Sequence, residues 1–327
     1  MAKLAAVVVG FGHLGNFHAQ KYMSLGADGV ELVGLVDANS EQAKLKAAKN
    51  FPGVPVFGSV AELLAAAAAG KIAKPNLASV ATTTEHHLSV SLELMKAGIH
   101  LLVEKPLAFT VEEGKKLVDF ADKAKLVLAT GQVERHRAVE AFRELRGRPL
   151  FIECHRLSPF PARSTDIDVI LDLMIHDIDL MLAMVNSPIK SIHAAGFPVL
   201  TPQVDIANAR FEFENGCVAN ITASRISITR TRKFRAFCSD AYLSLDLGAG
   251  TYERYHKDPE EKDLAKAISH KSGSLSVEDA LKEEIRDFVL AVRDQRSPLV
   301  SGKDGLRALE VAELVIRDVK ERLSATK

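Results

Sequence analysis

Four polar side chains share one face of an otherwise apolar stretch. Between Val169 and Leu182 the residues Ile170, Leu171, Leu173, Met174, Ile175, Ile178, Leu180 and Met181 are all aliphatic, which predicts a helix buried nearly all round. At about 100° per residue, Asp168, Asp172, His176 and Asp179 fall within an arc of roughly 80°, with Asp177 off it. Buried carboxylates are unfavourable unless partnered, so a narrow acidic and imidazole stripe points to a site. Histidine suits general-base work because its unperturbed pKa lies near operating pH, and Asp172 could orient or tune His176. Two other readings stay open. An ordinary polar helix face is one, although such faces usually carry Lys, Glu and Gln. Metal ligation by Asp172 and His176 at i, i+4 is the other, and no second histidine pair supports it.

A second cluster lies at the start of the chain. Gly10-Phe11-Gly12-His13-Leu14-Gly15 is a GxGxxG pattern directly after the aliphatic run 4–9 and before a helical pattern. There the glycines permit a tight turn and close backbone approach to a pyrophosphate, whose charge the helix N-terminus favours. Asp37, 22 residues after Gly15, ends the next apolar run, where a carboxylate accepts hydrogen bonds from ribose hydroxyls. A 2′-phosphate would meet it badly, and Ala38, Asn39 and Ser40 supply no arginine, so NAD is expected over NADP. Glu104-Lys105-Pro106 follows the apolar run 99–103. Strand ends of this kind border the ligand crevice, where the Lys105 ammonium could stabilise alkoxide character on a substrate oxygen; a surface-loop lysine is the competing reading.

The elements around these residues predict the architecture. Apolar runs at 4–9, 31–36, 77–81, 99–103 and 126–129 read as buried parallel strands. Helical patterns at 13–25, 40–50, 60–69, 87–97 and 110–124 alternate with them, as in βαβ units. Thr110 followed by Glu113 predicts a capping box. Past residue 131 the character changes. After a short helix at 138–145, strand-like segments occupy 150–155, 191–198, 206–214, 217–224, 233–238 and 241–246, around the helix 170–185. Asn215-Gly216 is a strong hairpin signal, and helices return at 277–295 and 305–323. The expected fold is α/β, a Rossmann parallel sheet in residues 1–130. An α+β domain with a largely antiparallel open sheet follows in 131–327, its final helix free to pack back on the first domain.

Composition limits the partners. The 327 residues carry 42 Lys plus Arg against 42 Asp plus Glu, so no chain-wide basic field exists to hold nucleic acid or an anionic membrane. Apolar residues at 47% and charged ones at 26% place the chain among ordinary globular proteins. Three scattered cysteines, Cys154, Cys217 and Cys238, form no disulfide framework or metal knuckle, which favours a reducing, cytoplasmic location. Gly10 and Gly12 interrupt the first apolar run too soon for a signal peptide, and no stretch approaches the roughly eighteen apolar residues of a membrane span.

Taken together, the GxGxxG turn, the EKP after a later strand and the Asp-x-x-x-His-x-x-Asp helix resemble the Gfo/Idh/MocA family of sugar and cyclitol oxidoreductases, along essentially the whole chain. Thr82, Thr83 and Thr84 with His87 stand at that family's ATPxxxH loop. Gly131-Gln132 with Arg135, and residues 301–305 before the last helix, are similar too. Thr83 replaces a usual proline, and Ile167-Asp168 replaces a frequent glycine pair, which points to a specialised substrate pocket.

The resemblance implies catalysis by Lys105, Asp172 and His176. It implies cofactor contacts from Gly10, Phe11, Gly12, His13, Leu14, Gly15, Asp37, Thr82, Thr83, His87, Glu104 and Lys105. Substrate contacts are implied from Arg135, Arg156, Arg163, Asp168, Asp172 and His176. Residues 153–160, 205–210 and 220–225 look like the UDP-N-acetylglucosamine 3-dehydrogenase branch, which supplies a 3-keto sugar nucleotide for lipid A precursors. Arg225, Arg230, Arg232, Lys233 and Arg235 form a basic run that could hold a diphosphate or simply be solvated. A small-molecule sugar or sugar nucleotide is thus the expected partner, along with a homodimer or homotetramer formed through the second domain's sheet. Inositol or free-sugar dehydrogenation, NAD-dependent glycoside cleavage and a non-catalytic NAD-binding role remain as alternatives.

Overall fold

The computed structural model describes residues 3–145, 147–160 and 167–325, which divide into two compact units. The first contains a six-stranded parallel sheet of β1 (Leu4–Val9), β2 (Val30–Val36), β3 (Val56–Phe57), β4 (Leu77–Val80), β5 (His100–Glu104) and β6 (Leu128–Gly131). Their order is β3-β2-β1-β4-β5-β6, the doubly wound arrangement whose switch point falls between β1 and β4. The strands are aliphatic without alternation because helices flank them: α1 (His13–Ser24), α2 (Ser40–Asn50), α3 (Val60–Ala68), α4 (His87–Lys96) and α5 (Val111–Ala124). Side-chain caps fix three of these helix starts. Asn39 accepts from the Gln42 N–H, Ser59 from Glu62, and Thr110 from Glu113, which is the forward half of the predicted box; the Glu113 carboxylate reaches back to the Phe109 N–H at 3.1 Å.

The second unit begins within α6 (Val133–Glu144), at Glu134, and continues through β7 (Pro149–Leu157) to a helical segment. The sequence predicts one helix over 170–185. The structure instead opens with a π-helical turn, Ile170–Met174, and then runs as α7 (Ile175–Val185), ended by Asn186 in the left-handed region at φ 44°. β8 (Ile189–Phe197), β9 (Ile206–Phe213), β10 (Val218–Ser224), β11 (Thr231–Cys238), β12 (Ala241–Asp246), β13 (Thr251–Lys257) and β14 (Ile268–Ser274) follow, with the short α8 (Leu264–Ala267) before β14. They form an eight-stranded sheet ordered β14-β13-β12-β11-β7-β10-β9-β8. It is antiparallel except between β7 and β10. β13 and β14 escape the sequence reading because both are largely exposed and carry no apolar alternation. Gly216, at φ +83°, closes the predicted β9–β10 hairpin.

One sheet face is apolar: Ile152, Cys154, Ala209, Phe211, Ala219, Ile221, Phe234 and Ala236 pack with Ala138, Ala141, Ile178 and Met181 in the core of this unit. The other carries a row of rings. Phe151–Phe237, Phe237–Tyr242 and Tyr242–Tyr255 have centroids 5.8, 4.8 and 6.0 Å apart, and Tyr255 stacks on His270 at 4.4 Å.

The division differs from the expected two segments, because Asp279–Arg307 belongs to the first unit. The cause is packing: Ile285, Phe288 and Val289 of α9 (Ala280–Arg293) share a core with Phe11, Tyr22, Leu25 and Phe51. In α10 (Gly302–Ala325), residues up to Arg307 go with the first unit, while Ala308, Val311, Ala312, Val315 and Val319 enter the second unit's core. Among the described residues, no helix is long and apolar enough to cross a membrane.

Candidate active site

The GxGxxG turn connects β1 to α1. Gly10 has φ +88°, and a Cβ there would lie 2.6 Å from the Ala81 carbonyl and the Thr82 nitrogen; a Cβ on Gly15 would lie 1.9 Å from the Gly10 carbonyl oxygen. Gly12 has open space around it, and no side chain caps α1 or places an acid in its first turn. The result is an exposed set of backbone N–H groups at a helix N-terminus, the donor set that a pyrophosphate requires. His13 and Leu14 are exposed beside it. Asp37 is half-buried, its carboxylate accepting from the Phe11 N–H at 2.9 Å and the Asn39 N–H at 2.9 Å. Thr82 Oγ1 and Asn16 Oδ1 are buried with no hydrogen-bond partner among the described residues. These open donors, orphaned polar atoms and side-chain-free approach fit a dinucleotide.

His87 ties together two loops at the strand ends. Its Nδ1 lies 3.0 Å from the Pro106 carbonyl and its Nε2 lies 3.2 Å from that of Thr82. Burial pushes its pKa down, and the carbonyl contacts and nearby Glu104 only partly oppose this. Thr83 Oγ1 donates to Glu85. Lys105 is half-buried after β5, whereas the Glu104 carboxylate turns inward to His18 Nε2 at 2.8 Å. The Glu104 side chain thus belongs to a buried hydrogen-bond chain.

In the second unit Asp172 lies in the π turn and His176 in the first turn of α7, both half-buried. A π turn changes the angular step, so the uniform 100° arc expected for Asp168, Asp172, His176 and Asp179 does not hold. Asp168 precedes the turn, and its Oδ1 accepts from the Val204 N–H at 3.0 Å.

The other acids of α7 are clamped. The Arg156 fork donates to both oxygens of Asp177 at 2.9 Å each, and its third nitrogen to Glu134 at 3.0 Å. Arg135 Nε donates to Asp179 Oδ2 at 2.9 Å while its NH2 group contacts the other oxygen. Burial alone would lower the Arg156 pKa, but Asp177 and Glu134 more than offset it and hold the guanidinium above its ordinary value. Arg135 and Arg156 are 7% and 4% exposed, and the bonds they make hold α7. Arg163 lies outside the described residues. Arg225, from the basic run, is fully buried beside Asp205 at 3.3 Å and donates to the Val204 carbonyl at 3.0 Å.

Several residues are invisible to pattern reading. Lys46 donates to the Gly12 and Phe11 carbonyls at 2.7 and 3.2 Å, and its ammonium lies 4.6 Å from the Phe11 ring centroid. Its spacing in α2 gives no hint of this. Glu134, Ser79, Tyr22 and His18 likewise gain meaning only from partners distant in sequence.

Residues 4–132 match the family described as "Oxidoreductase family, NAD-binding Rossmann fold" (GFO_IDH_MocA), and residues 122–244 match the GFO/IDH/MocA C-terminal domain. The chain is 37% identical to a UDP-N-acetylglucosamine 3-dehydrogenase of Acidithiobacillus ferrooxidans, over 95% of this chain and 96% of that one. The solved structure of that enzyme superposes with a TM-score of 0.87 at 36% identity, covering 98% and 99% of the two chains. A myo-inositol 2-dehydrogenase of Thermotoga maritima is 22% identical over 97% of this chain and 96% of its own. A levoglucosan dehydrogenase solved with NADH and levoglucosan shares the fold, with a TM-score of 0.84 at 16% identity and 98% of both chains covered.

Two measurements check this geometry. Arg156→Met leaves Asp177 buried without its cation and Glu134 with only Arg232 at 3.6 Å, so the urea midpoint should fall by the equivalent of about 3–5 kcal/mol at unchanged slope. His87 resists protonation in the folded state. Its contribution is therefore complete above the unfolded value of 6.5 and is lost as pH falls below that toward the depressed folded value. Urea midpoints across a pH series should decline in that window and decline less in His87→Asn, leaving the share of His100, whose pKa burial also lowers.

Proposed function

The chain belongs to the Gfo/Idh/MocA family of NAD-binding oxidoreductases, and from that premise we propose that it oxidises a secondary hydroxyl of a sugar nucleotide, at C3 of UDP-N-acetylglucosamine. The observation that carries this reading is the 37% identity to the Acidithiobacillus enzyme along 95% of the chain, which includes the substrate-binding half and not only the dinucleotide fold.

NAD, when bound, supplies the hydride acceptor. The N–H groups of Gly12, His13, Leu14 and Gly15 would hold the pyrophosphate, Gly10 and Phe11 set the turn through their own N–H bonds to Val36 and Asp37, and Thr82, Thr83 and His87 shape the adjoining loop. Asp37 accepts from ribose hydroxyls and repels a 2′-phosphate, so NADP is the poorer cofactor. His176 takes the hydroxyl proton, Lys105 donates to the same oxygen as its negative charge develops, and Asp172 orients His176. The product is a 3-keto sugar nucleotide, a suitable input for a cytoplasmic aminotransferase ahead of amide-linked lipid A. A second reading, inositol oxidation, draws support from the full-length likeness to the Thermotoga enzyme.

NADH absorbance across UDP-N-acetylglucosamine, free N-acetylglucosamine, glucose and inositols separates these readings. Turnover confined to the sugar nucleotide is expected. Inositol turnover overturns this in favour of the second reading, and sugar release without net NADH would indicate glycoside cleavage. His176→Ala should lower kcat by about 10²- to 10⁴-fold with NAD affinity retained.

We also propose that the ringed face of the eight-stranded sheet pairs with a second copy. Along with Phe151, Phe237, Tyr242 and Tyr255, this face interleaves Glu153, Glu212 and Glu253 with Arg210, Lys233 and Arg235, a mixture suited to a two-fold, self-complementary contact. Sedimentation should give a dimer or tetramer, and Tyr242→Glu should shift it toward monomer. A monomeric parent protein contradicts the proposal.

A further inference from the structure

A line of hydrogen-bonded polar groups crosses the interior of the first unit. His18, Tyr22 and Ser79 are fully buried, and Glu104 is nearly so. The Tyr22 hydroxyl lies 2.9 Å from Ser79 Oγ, Ser79 Oγ 3.0 Å from His18 Nδ1, and His18 Nε2 2.8 Å from Glu104 Oε1. Its polarity follows from the donors available. With Glu104 ionised it can only accept, so His18 Nε2 carries the proton; with the ring neutral, Nδ1 accepts from Ser79, which in turn accepts from Tyr22. Burial raises the Tyr22 pKa well above its ordinary value, with the Ser79 bond opposing and Glu284 adding to it, so Tyr22 stays a donor.

What this line of groups can do is fix position. His18 and Tyr22 lie one turn apart on α1, the helix that opens at the dinucleotide turn. Glu104 is the last residue of β5, immediately before Lys105, and its second oxygen accepts from the Lys105 N–H at 3.3 Å. A Cβ on Gly131 would lie 2.9 Å from that carboxylate, so the Glu104 side chain packs directly against the β6 backbone. Four apolar residues would fill the same volume without fixing a direction, whereas a fully satisfied buried polar chain specifies one arrangement.

We infer that His18 is a positioning residue for Lys105, with Tyr22–Ser79–His18–Glu104 acting as a strut from the helix of the dinucleotide turn to the strand end that carries the lysine. The inference rests on the role proposed above for Lys105. The test compares His18→Leu, which breaks the strut, with His18→Gln, whose amide N–H can still reach Glu104. His18→Leu should lose kcat on the order of 10²-fold with NADH affinity, read by fluorescence, little changed, and His18→Gln should recover most of that loss. A parental kcat in His18→Leu, or equal impairment of the two variants, overturns the strut. Should His18→Leu fail to fold, Ser79→Ala tests the same claim by removing only the hydroxyl that links His18 to Tyr22, and an unchanged kcat there overturns it. Nitrogen NMR of the imidazoles gives a readout independent of turnover: a single Nε2–H tautomer for His18 is expected in the parent, and a mixture contradicts the strut. Lys105→Ala keeps the two ideas apart. Retained turnover removes the catalytic role of Lys105, whereas its loss beside a fully active His18→Leu removes the strut alone.

Discussion

The Gly10 carbonyl oxygen lies 1.9 Å from where a side chain on Gly15 would begin. That contact sets how closely α1 follows β1, and much of the first unit depends on it. Any side chain at Gly15 would push the helix off the turn, moving the N–H groups of its first turn away from the crevice at the switch point between β1 and β4. The same displacement would reach His18 and Tyr22, which α1 carries into the interior one turn further on. One steric constraint therefore governs both the surface offered to a pyrophosphate and the buried chain that ends at Glu104.

Features determined by neighbours in sequence are legible from the residues alone. The GxGxxG turn, the Thr110–Glu113 cap and the Asn215-Gly216 hairpin each follow from sterics or hydrogen bonding within a few residues. The continuous aliphatic runs of β1, β4 and β5 announce strands covered on both faces. β13 and the edge strand β14 announce nothing, because neither has an apolar face to reveal a period of two. The interior polar chain is hidden for another reason. His18, Ser79 and Glu104 lie on three different elements, and nothing in the local pattern of any one of them names the others.

Charge is the feature that sequence reading serves worst. Arg135 and Arg156 are residue types that bind anionic ligands, and their proximity to a site helix suggests that use. In the fold their anions are Asp179 and Asp177, supplied by the protein itself. Arg225 behaves in the same way with Asp205, whose carboxylate also accepts from the Val199, Leu200 and Thr201 N–H groups. In a chain with equal numbers of acids and bases, internal pairing removes cations from the surface without any change in net charge, so composition alone cannot reveal it.

These pairs also explain how the site helix is held. Ion pairs buried this deeply add little net stability over apolar packing, since desolvation consumes most of their attraction, but their geometry is demanding. Asp177 and Asp179 are two residues apart, hence about 200° around α7, and therefore on nearly opposite sides of it. One is gripped by Arg156 from β7, the other by Arg135 from α6. A single clamp would leave the helix free to roll about the contact, whereas two on opposing sides fix its rotation. His176 immediately precedes the first of these anchors, and Asp172 sits in the wider π turn just before them. The regular, doubly clamped part of the helix thus begins beside His176, and the irregular part is confined to the π turn that contains Asp172.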